Sequence, residues 1–186
     1  MNTTRRRLLA ALTALPTAPA CFAASRADQA AIPRGYTLVA NALGVPPALL
    51  YGVALQESVM LFGEPPERRL LPWPWTLNIA GTPARFWSRA AAEERLEASL
   101  RRGVDSVDIG PMGINWRYHK ARLQSVERSL DPYWNLRVGA GLLAQQFAAC
   151  GDWREAVGRY HAPGDRARAA HYSASVFARL RRIGHA

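Results

Sequence analysis

The stretch LLYGVALQESVM, residues 49–60, constrains the fold most strongly, because it is mostly apolar and contains a single charged residue, Glu57. Pro47 precedes this stretch, and proline is favoured at the first position of a helix. The sequence therefore predicts a helix from Pro47 through Gln56 or slightly beyond. On such a helix three apolar residues share a face with the glutamate, namely Leu50, Val53 and Ala54.

Two interpretations of Glu57 follow from this position. If helical geometry persists, Met60 and Leu61 continue the apolar stripe, and the carboxyl among them loses hydration. Its pKa then rises and it keeps its proton near neutral pH, which is the state required of a general acid. In the other interpretation the helix ends near Glu57, before a proline-rich loop, and the carboxylate points into water.

The remaining sequence predicts a mainly α-helical domain with a small β insertion, within residues 33–184. Apolar periodicity between caps and breakers predicts helices at 36–43, 89–102, 118–128, 135–150, from 152 onward and at about 167–182. Strands at 75–81 and 83–87 predict a hairpin, and residues 104–116 predict a strand entering a glycine-rich turn. The prolines of residues 65–74 predict loops.

The first 23 residues are typical of a secretory signal peptide, with three arginines before a short apolar run and small residues. The apolar run is too short to span a membrane, so we expect export to the periplasm. A lipoprotein modified at Cys21 is the alternative, although Ala18 stands where a larger apolar residue is usual. If Cys21 leaves with the signal, no internal disulfide can form, and Cys150 is expected to be a small buried hydrophobe.

The chain has a formal net charge of +10, and without the three signal arginines the charge is +7. A basic exported protein suits an anionic partner such as the cell wall or a membrane surface. Nucleic acid is another usual partner of basic proteins, but the export signal argues against it. A solvated arginine-rich surface is the remaining interpretation.

The stretch DIGPMGINW, residues 108–116, contains a glycine-rich turn. Gly110 and Gly113 allow the backbone to approach a ligand closely, and Asn115 adds an amide side chain. An ordinary tight turn, with Met112 filling the core, is the alternative.

The stretch VGRYHAPGD, residues 157–165, places Tyr160 and His161 at the end of a helix. Tyr160 either hydrogen-bonds a catalytic carboxyl, lines a sugar cleft, or packs at the helix end. His161 is not expected to bind a metal, because the four histidines lack the spacing of metal ligands.

Five stretches taken in order resemble the signature sequences of the lysozyme-like lytic transglycosylases, which cleave the glycan strands of peptidoglycan. They are ALQES, DIGPMGINW, DPYWNLRVGAGLLAQQF, WREAVGRYHAPGD and HYSASVFARL. The segments PWPWTLNIAG and DIGPMGINWRYH most resemble family members encoded with conjugative transfer and type IV secretion systems. The resemblance extends from about Tyr36 to Leu180 and implies a lysozyme-like α+β fold.

The resemblance also implies roles for individual residues. Glu57, in a Glu-Ser pair, matches the catalytic acid, while Asn135 and Gly139 match an Asn-x-x-x-Gly helix start. The turn matches the family's Gly-Leu-Met-Gln motif, and Tyr160 matches the tyrosine of its Tyr-Asn pair. The residues implied in substrate binding are Ser58, Gly110, Met112, Gly113, Asn115, Tyr160 and His161.

Three positions depart from the family pattern: Pro111 replaces a leucine, Gly113 a glutamine and His161 an asparagine. The glutamine and asparagine normally shape or contact the glycan cleft, so their replacement predicts altered substrate contacts or low activity. If the departures weaken the enzyme, Gly113→Gln and His161→Asn are expected to increase activity.

By this resemblance Glu57 protonates the bond between N-acetylmuramic acid and N-acetylglucosamine, and a 1,6-anhydro ring closes without a metal or cofactor. The implied partners are peptidoglycan glycan strands and components of a conjugation or secretion apparatus. A lysozyme-like hydrolase is one alternative, and it needs a second carboxylate. Asp105 and Asp108 precede the turn and could approach Glu57, but nothing in the sequence marks either as more than a strand-end residue. A non-catalytic wall-binding assembly factor is the other alternative.

Overall fold

The computed structural model describes residues 31–65 and 68–185 of the chain. The predicted signal peptide and Cys21 lie outside the described residues, which form a mixed α+β structure. Its helices are α1 (Arg34–Ala42), α2 (Pro47–Ser58), α3 (Arg89–Arg101), α4 (Trp116–Leu123), α5 (Val126–Ser129), α6 (Pro132–Cys150), α7 (Trp153–His161) and α8 (Arg166–Arg182). Its strands are β1 (Val59–Phe62), β2 (Arg69–Pro72), β3 (Thr76–Ile79), β4 (Thr82–Arg85), β5 (Val107–Ile109) and β6 (Ile114–Asn115).

Helix α2 is the core helix, as the apolar stretch around Glu57 predicts. Pro47 lies in its first turn, and the predicted stripe of Leu50, Val53 and Ala54 is fully buried. Helix α8 packs along it so closely that a Cβ on Gly52 would lie 2.9 Å from the side chain of Leu180. This contact packs the C-terminal part of α8 against the middle of α2, and Tyr172 nearer the start of α8 contacts Glu57.

The helix ends at Ser58, so the apolar stripe does not continue beyond it. The proline-rich stretch that follows contains strands as well as loops. The backbone becomes extended at Val59, and strand β1 pairs antiparallel with β2. Leu61, expected on the buried stripe, is 51% exposed and pairs with Leu70 across the hairpin. The prolines predicted loops here, so these strands were not expected. Pro72 is tolerated because each strand of a two-stranded sheet has a free edge, where no backbone N–H is needed for pairing.

A second sheet, with strand order β4-β3-β5-β6, contains the predicted hairpin and the strand that leads into the glycine-rich turn. Asn78 on β3 pairs with Asp108 on β5, and Asp108 pairs with Asn115 on β6. Residues directly opposite one another in antiparallel strands share a face of the sheet. The register therefore aligns one carboxylate between two amides.

Side-chain caps define several helix starts. Ser88 accepts a hydrogen bond from the amide of Ala91, and Asp152 accepts one from the amide of Glu155, so the predicted starts of α3 and α7 are confirmed. The predicted helix 118–128 is wrong in one respect, because it is divided at Gln124, which has φ of 72°. Ser125 then caps α5.

Cys150 ends α6 but is only half-buried, so the prediction of a buried hydrophobe is wrong. Its Sγ donates a hydrogen bond to the carbonyl oxygen of Asp152 at 3.3 Å. In the described part of the chain, no one helix has the length and apolar character needed to cross a membrane. Helices α1 and α2 meet those criteria only as a pair, bent by 118°.

Candidate active site

The carboxyl group of Glu57 lies in the last turn of α2, between the core and a cavity. Its side chain is 19% exposed, so the interpretation that it points into water is wrong. Burial raises the pKa of Glu57 to about 7, and the negative charge of Asp108 adds to this increase. A carboxyl group with this pKa can both donate and accept a proton near neutral pH.

Tyr172 on α8 contacts Glu57 directly. Its hydroxyl donates a hydrogen bond to Oε1 of Glu57, and this bond opposes the increase in the carboxyl pKa. Burial raises the pKa of Tyr172 well above its usual value, so the hydroxyl keeps its proton and remains a donor. The bond therefore fixes the orientation of the carboxyl group.

His161 covers the same pair of residues. Its ring stacks on Tyr172 with centroids 4.3 Å apart and planes 2° from parallel. Its Nδ1 lies 4.0 Å from Oε1 of Glu57. Burial lowers the pKa of His161, as does the charge of Arg168, so the imidazole is neutral near pH 7. At that pH it contributes a polar ring and no ion pair.

The glycine-rich turn, residues 110–113, is held from below by Asn135 at the start of α6. The side-chain oxygen of this fully buried asparagine accepts a hydrogen bond from the backbone amide of Met112 at 3.0 Å. Its Nδ2 donates to the carbonyl oxygens of Ile109 at 2.9 Å and Ser129 at 3.1 Å. Gly110 lies over the amide, because a Cβ there would be 2.6 Å from Nδ2. Asn135 thus fixes the position of the turn.

Two further contacts bind the turn to the helices around it. The hydroxyl of Tyr160 on α7 donates to the carbonyl oxygen of Met112 at 2.6 Å. The hydroxyl of Ser58 lies 3.1 Å from the carbonyl oxygen of Pro111. Gly139 on α6 leaves room for Met112, since a Cβ there would be 2.7 Å from its side chain. The turn is therefore attached to α2, α6 and α7.

Gly113 is in contact with the carboxyl group of Glu57. A Cβ at this position would lie 2.6 Å from Oε2, and the backbone has φ of +59°, where side chains are strained. The glutamine expected from the resemblance does not fit here without displacing the carboxyl. This geometry favours glycine at position 113, so we expect Gly113→Gln to lower activity, in contrast to the increase considered from the sequence.

A cavity of about 290 Å³ opens above the carboxyl. Of the residues predicted to bind substrate, Gly113, Asn115, Tyr160 and His161 line it together with Glu57. Ser58, Gly110 and Met112 are instead buried and do not line this cavity, so their placement does not match the predicted contact with substrate. They shape the cavity indirectly by holding the turn.

Asp108 lines this cavity too and was not identified from the sequence. Its two oxygens accept hydrogen bonds from the amides of Asn115, at 2.7 Å, and Asn78, at 3.1 Å. The strand alternation offered a signal, since Asn78 and Asp108 interrupt apolar strands at alternate positions. Tyr172 was not singled out in the sequence, because its contact with Glu57 joins residues 115 positions apart.

Within the residues that the structure describes, no cluster of three or more histidine, cysteine, aspartate or glutamate side chains is arranged to hold a metal ion. Comparison of the chain with protein-family models, with curated proteins and with solved structures found no significant match.

Proposed function

We propose that this protein is a peptidoglycan lytic transglycosylase with a lysozyme-like fold, and that Glu57 is its general acid and base. The observation that carries the proposal is a hydrogen-bonded carboxyl group with a pKa of about 7 in the wall of an open cavity. An acid of this kind holds its proton at neutral pH and can deliver it to a leaving oxygen.

The proposed reaction uses one carboxyl group twice. Glu57 protonates the glycosidic oxygen, the bond from C1 of the muramyl residue breaks, and the N-acetyl oxygen bonds to C1. The ionised Glu57 then takes the proton of the C6 hydroxyl, whose oxygen bonds to C1 as the N-acetyl oxygen leaves. The ring closes as a 1,6-anhydro product, no water is consumed, and Glu57 regains its proton. Tyr172 holds the carboxyl in register during both transfers.

The sequence of residues 1–23 supports action in the periplasm, where the glycan lies. The resemblance to family members encoded with conjugation and secretion systems supports a task in opening the wall locally for such a machine. Both statements are part of the proposal.

The test is digestion of purified sacculi by the wild type, by Glu57→Gln and by a matched control, Glu94→Gln, which alters an exposed glutamate on α3. We expect anhydro-ended muropeptides from the wild type and from Glu94→Gln, measured by mass spectrometry, and none from Glu57→Gln. Full activity of Glu57→Gln would reject the proposal. Binding of wild-type protein to sacculi without any cleavage would support a wall-binding factor instead.

A lysozyme-like hydrolase is the second candidate, and Asp108 is the observation that favours it. Asp108 lines the same cavity as Glu57, and a second carboxylate beside an acid can activate a water molecule in an inverting hydrolysis. Digestion in ¹⁸O-labelled water separates the two reactions. Label at new reducing ends identifies the hydrolase, whereas unlabelled anhydro ends identify the transglycosylase.

A further inference from the structure

A second cavity, of about 230 Å³, adjoins the first at the catalytic carboxyl. Glu57 and His161 line both cavities, so the two cavities meet at these side chains and are together called the groove. The second cavity is lined mainly by α8, which contributes Arg168 and His171. A ligand that occupied both cavities would pass the carboxyl of Glu57.

The two cavities differ in charge. Asp108 lines the first cavity, whereas Arg168 lines the second. The same two residues act in opposite directions on the imidazole between them, since Asp108 raises and Arg168 lowers the pKa of His161. The groove is therefore negative on the sheet side of Glu57 and positive on the α8 side.

Arg168 is available to bind a ligand. Its side chain is 70% exposed, and its Nε lies 4.0 Å from Oδ2 of Asp165, which is the outer limit of an ion pair. A guanidinium offers five donors in a planar fork that matches a carboxylate group. His171 lies on the same wall and adds a second polar ring.

We propose that the second cavity, at Arg168 and His171, binds a carboxylate-bearing substituent of the glycan. The inference rests on the proposed function and goes beyond it, because it assigns a direction to the substrate. Asp108 repels the carboxylate from the first cavity, and Arg168 attracts it to the second. An uncharged saccharide residue then occupies the first cavity. In peptidoglycan the carboxylate comes from a peptide stem, or from the lactyl ether where the stem has been removed.

The experiment measures binding by calorimetry in the Glu57→Gln background, so that the result does not depend on turnover. Three soluble probes are compared: a peptidoglycan tetrasaccharide with peptide stems, the same tetrasaccharide after stem removal by an amidase, and neutral chitotetraose. Arg168→Gln is expected to weaken at least one anionic probe about threefold to fivefold and chitotetraose by less than twofold. The probe that is weakened identifies the source of the carboxylate.

Arg166→Gln is the matched control, because Arg166 lies two residues away on α8 and lines a different cavity. It removes the same charge and is expected to leave all three affinities within twofold. Equal weakening by both variants would show that the overall positive charge of the protein, and not a contact at Arg168, attracts the ligand, and it would overturn the proposal. Unchanged binding in Arg168→Gln would overturn it too. Selective weakening supports the subsite even if wild-type protein proves unable to cleave sacculi, so this test and that of the proposed function can fail separately.

Discussion

At the scale of the residue, the chemistry depends on the balance of contacts around one carboxyl group. Burial and Asp108 raise the pKa of Glu57, whereas the hydroxyl of Tyr172 lowers it. Together these contacts give Glu57 a pKa of about 7, which is well above the usual glutamate pKa of 4.5. This increase in the pKa of Glu57 affects both the reaction and the stability of the fold.

For the reaction, the acid form of Glu57 is the reactive one. We expect the cleavage rate to be constant below about pH 6 and to fall about tenfold per pH unit above pH 7, as the carboxyl ionises. Asp108→Asn removes the negative charge that raises this pKa, so the descending limb is expected to move to lower pH. The side-chain oxygen of Asn78, buried without a partner, can accept a hydrogen bond from the new amide. Rate profiles that coincide for the two proteins would contradict this account.

For stability, the folded protein retains the proton of Glu57 between pH 4.5 and about 7, whereas the unfolded chain has lost it. The free energy of unfolding therefore falls as the pH rises through this window. Glu57→Gln removes the cost of the buried charge, so we expect this variant to be about 2–3 kcal/mol more stable than the wild type at pH 8. The difference should be small at pH 4. Urea unfolding at both pH values is the measurement, and equal stability at pH 8 would show that the charge is well solvated.

At the scale of the element, the strongest local signals were also the ones that the structure confirms. Proline at the start of α2 and the caps of Ser88 and Asp152 act within one helical turn, so a short window of sequence contains the cause. The β1–β2 hairpin and the break at Gln124 were missed because they depend on partners or backbone angles that no local pattern specifies.

The same division holds for the site. Glu57 could be identified because its own helix contains the apolar stripe. The row of Asn78, Asp108 and Asn115 depends on the pairing of three strands, and Tyr172 depends on the packing of α8 against α2. Such contacts join residues far apart in sequence, so a linear pattern does not contain them.

The fit of the turn between β5 and β6 against Glu57 can be tested at Gly113. Gly113→Ala places a methyl group 2.6 Å from Oε2 of Glu57 and strains a backbone with φ of +59°. We expect sacculus cleavage to fall at least about tenfold while the fold persists, because the carboxyl must rotate away. The control is Gly141→Ala on α6, where an added Cβ has no neighbour within 4 Å. Cleavage by Gly113→Gln at or above the wild-type rate would show that the turn tolerates the family's residue.

At the scale of the whole molecule, the question is whether its charge has a function. The chain has a formal net charge of +10, and most of the arginines in the part that the structure describes lie outside the groove. An arginine-rich surface either binds an anionic polymer over a broad area or is simply solvated. The two alternatives differ in how binding responds to salt, because ionic strength screens exposed charges and leaves buried contacts nearly unchanged.

We expect the Glu57→Gln protein to bind purified sacculi at least about threefold more weakly in 500 mM than in 50 mM sodium chloride. Its affinity for neutral chitotetraose should change much less over the same range, because that ligand engages only the groove. Co-sedimentation with sacculi and calorimetry with chitotetraose provide the two measurements, and urea unfolding at both salt concentrations checks that the fold is unaffected. Sacculus binding that is insensitive to salt would assign the arginines to solvation and leave recognition to the groove alone.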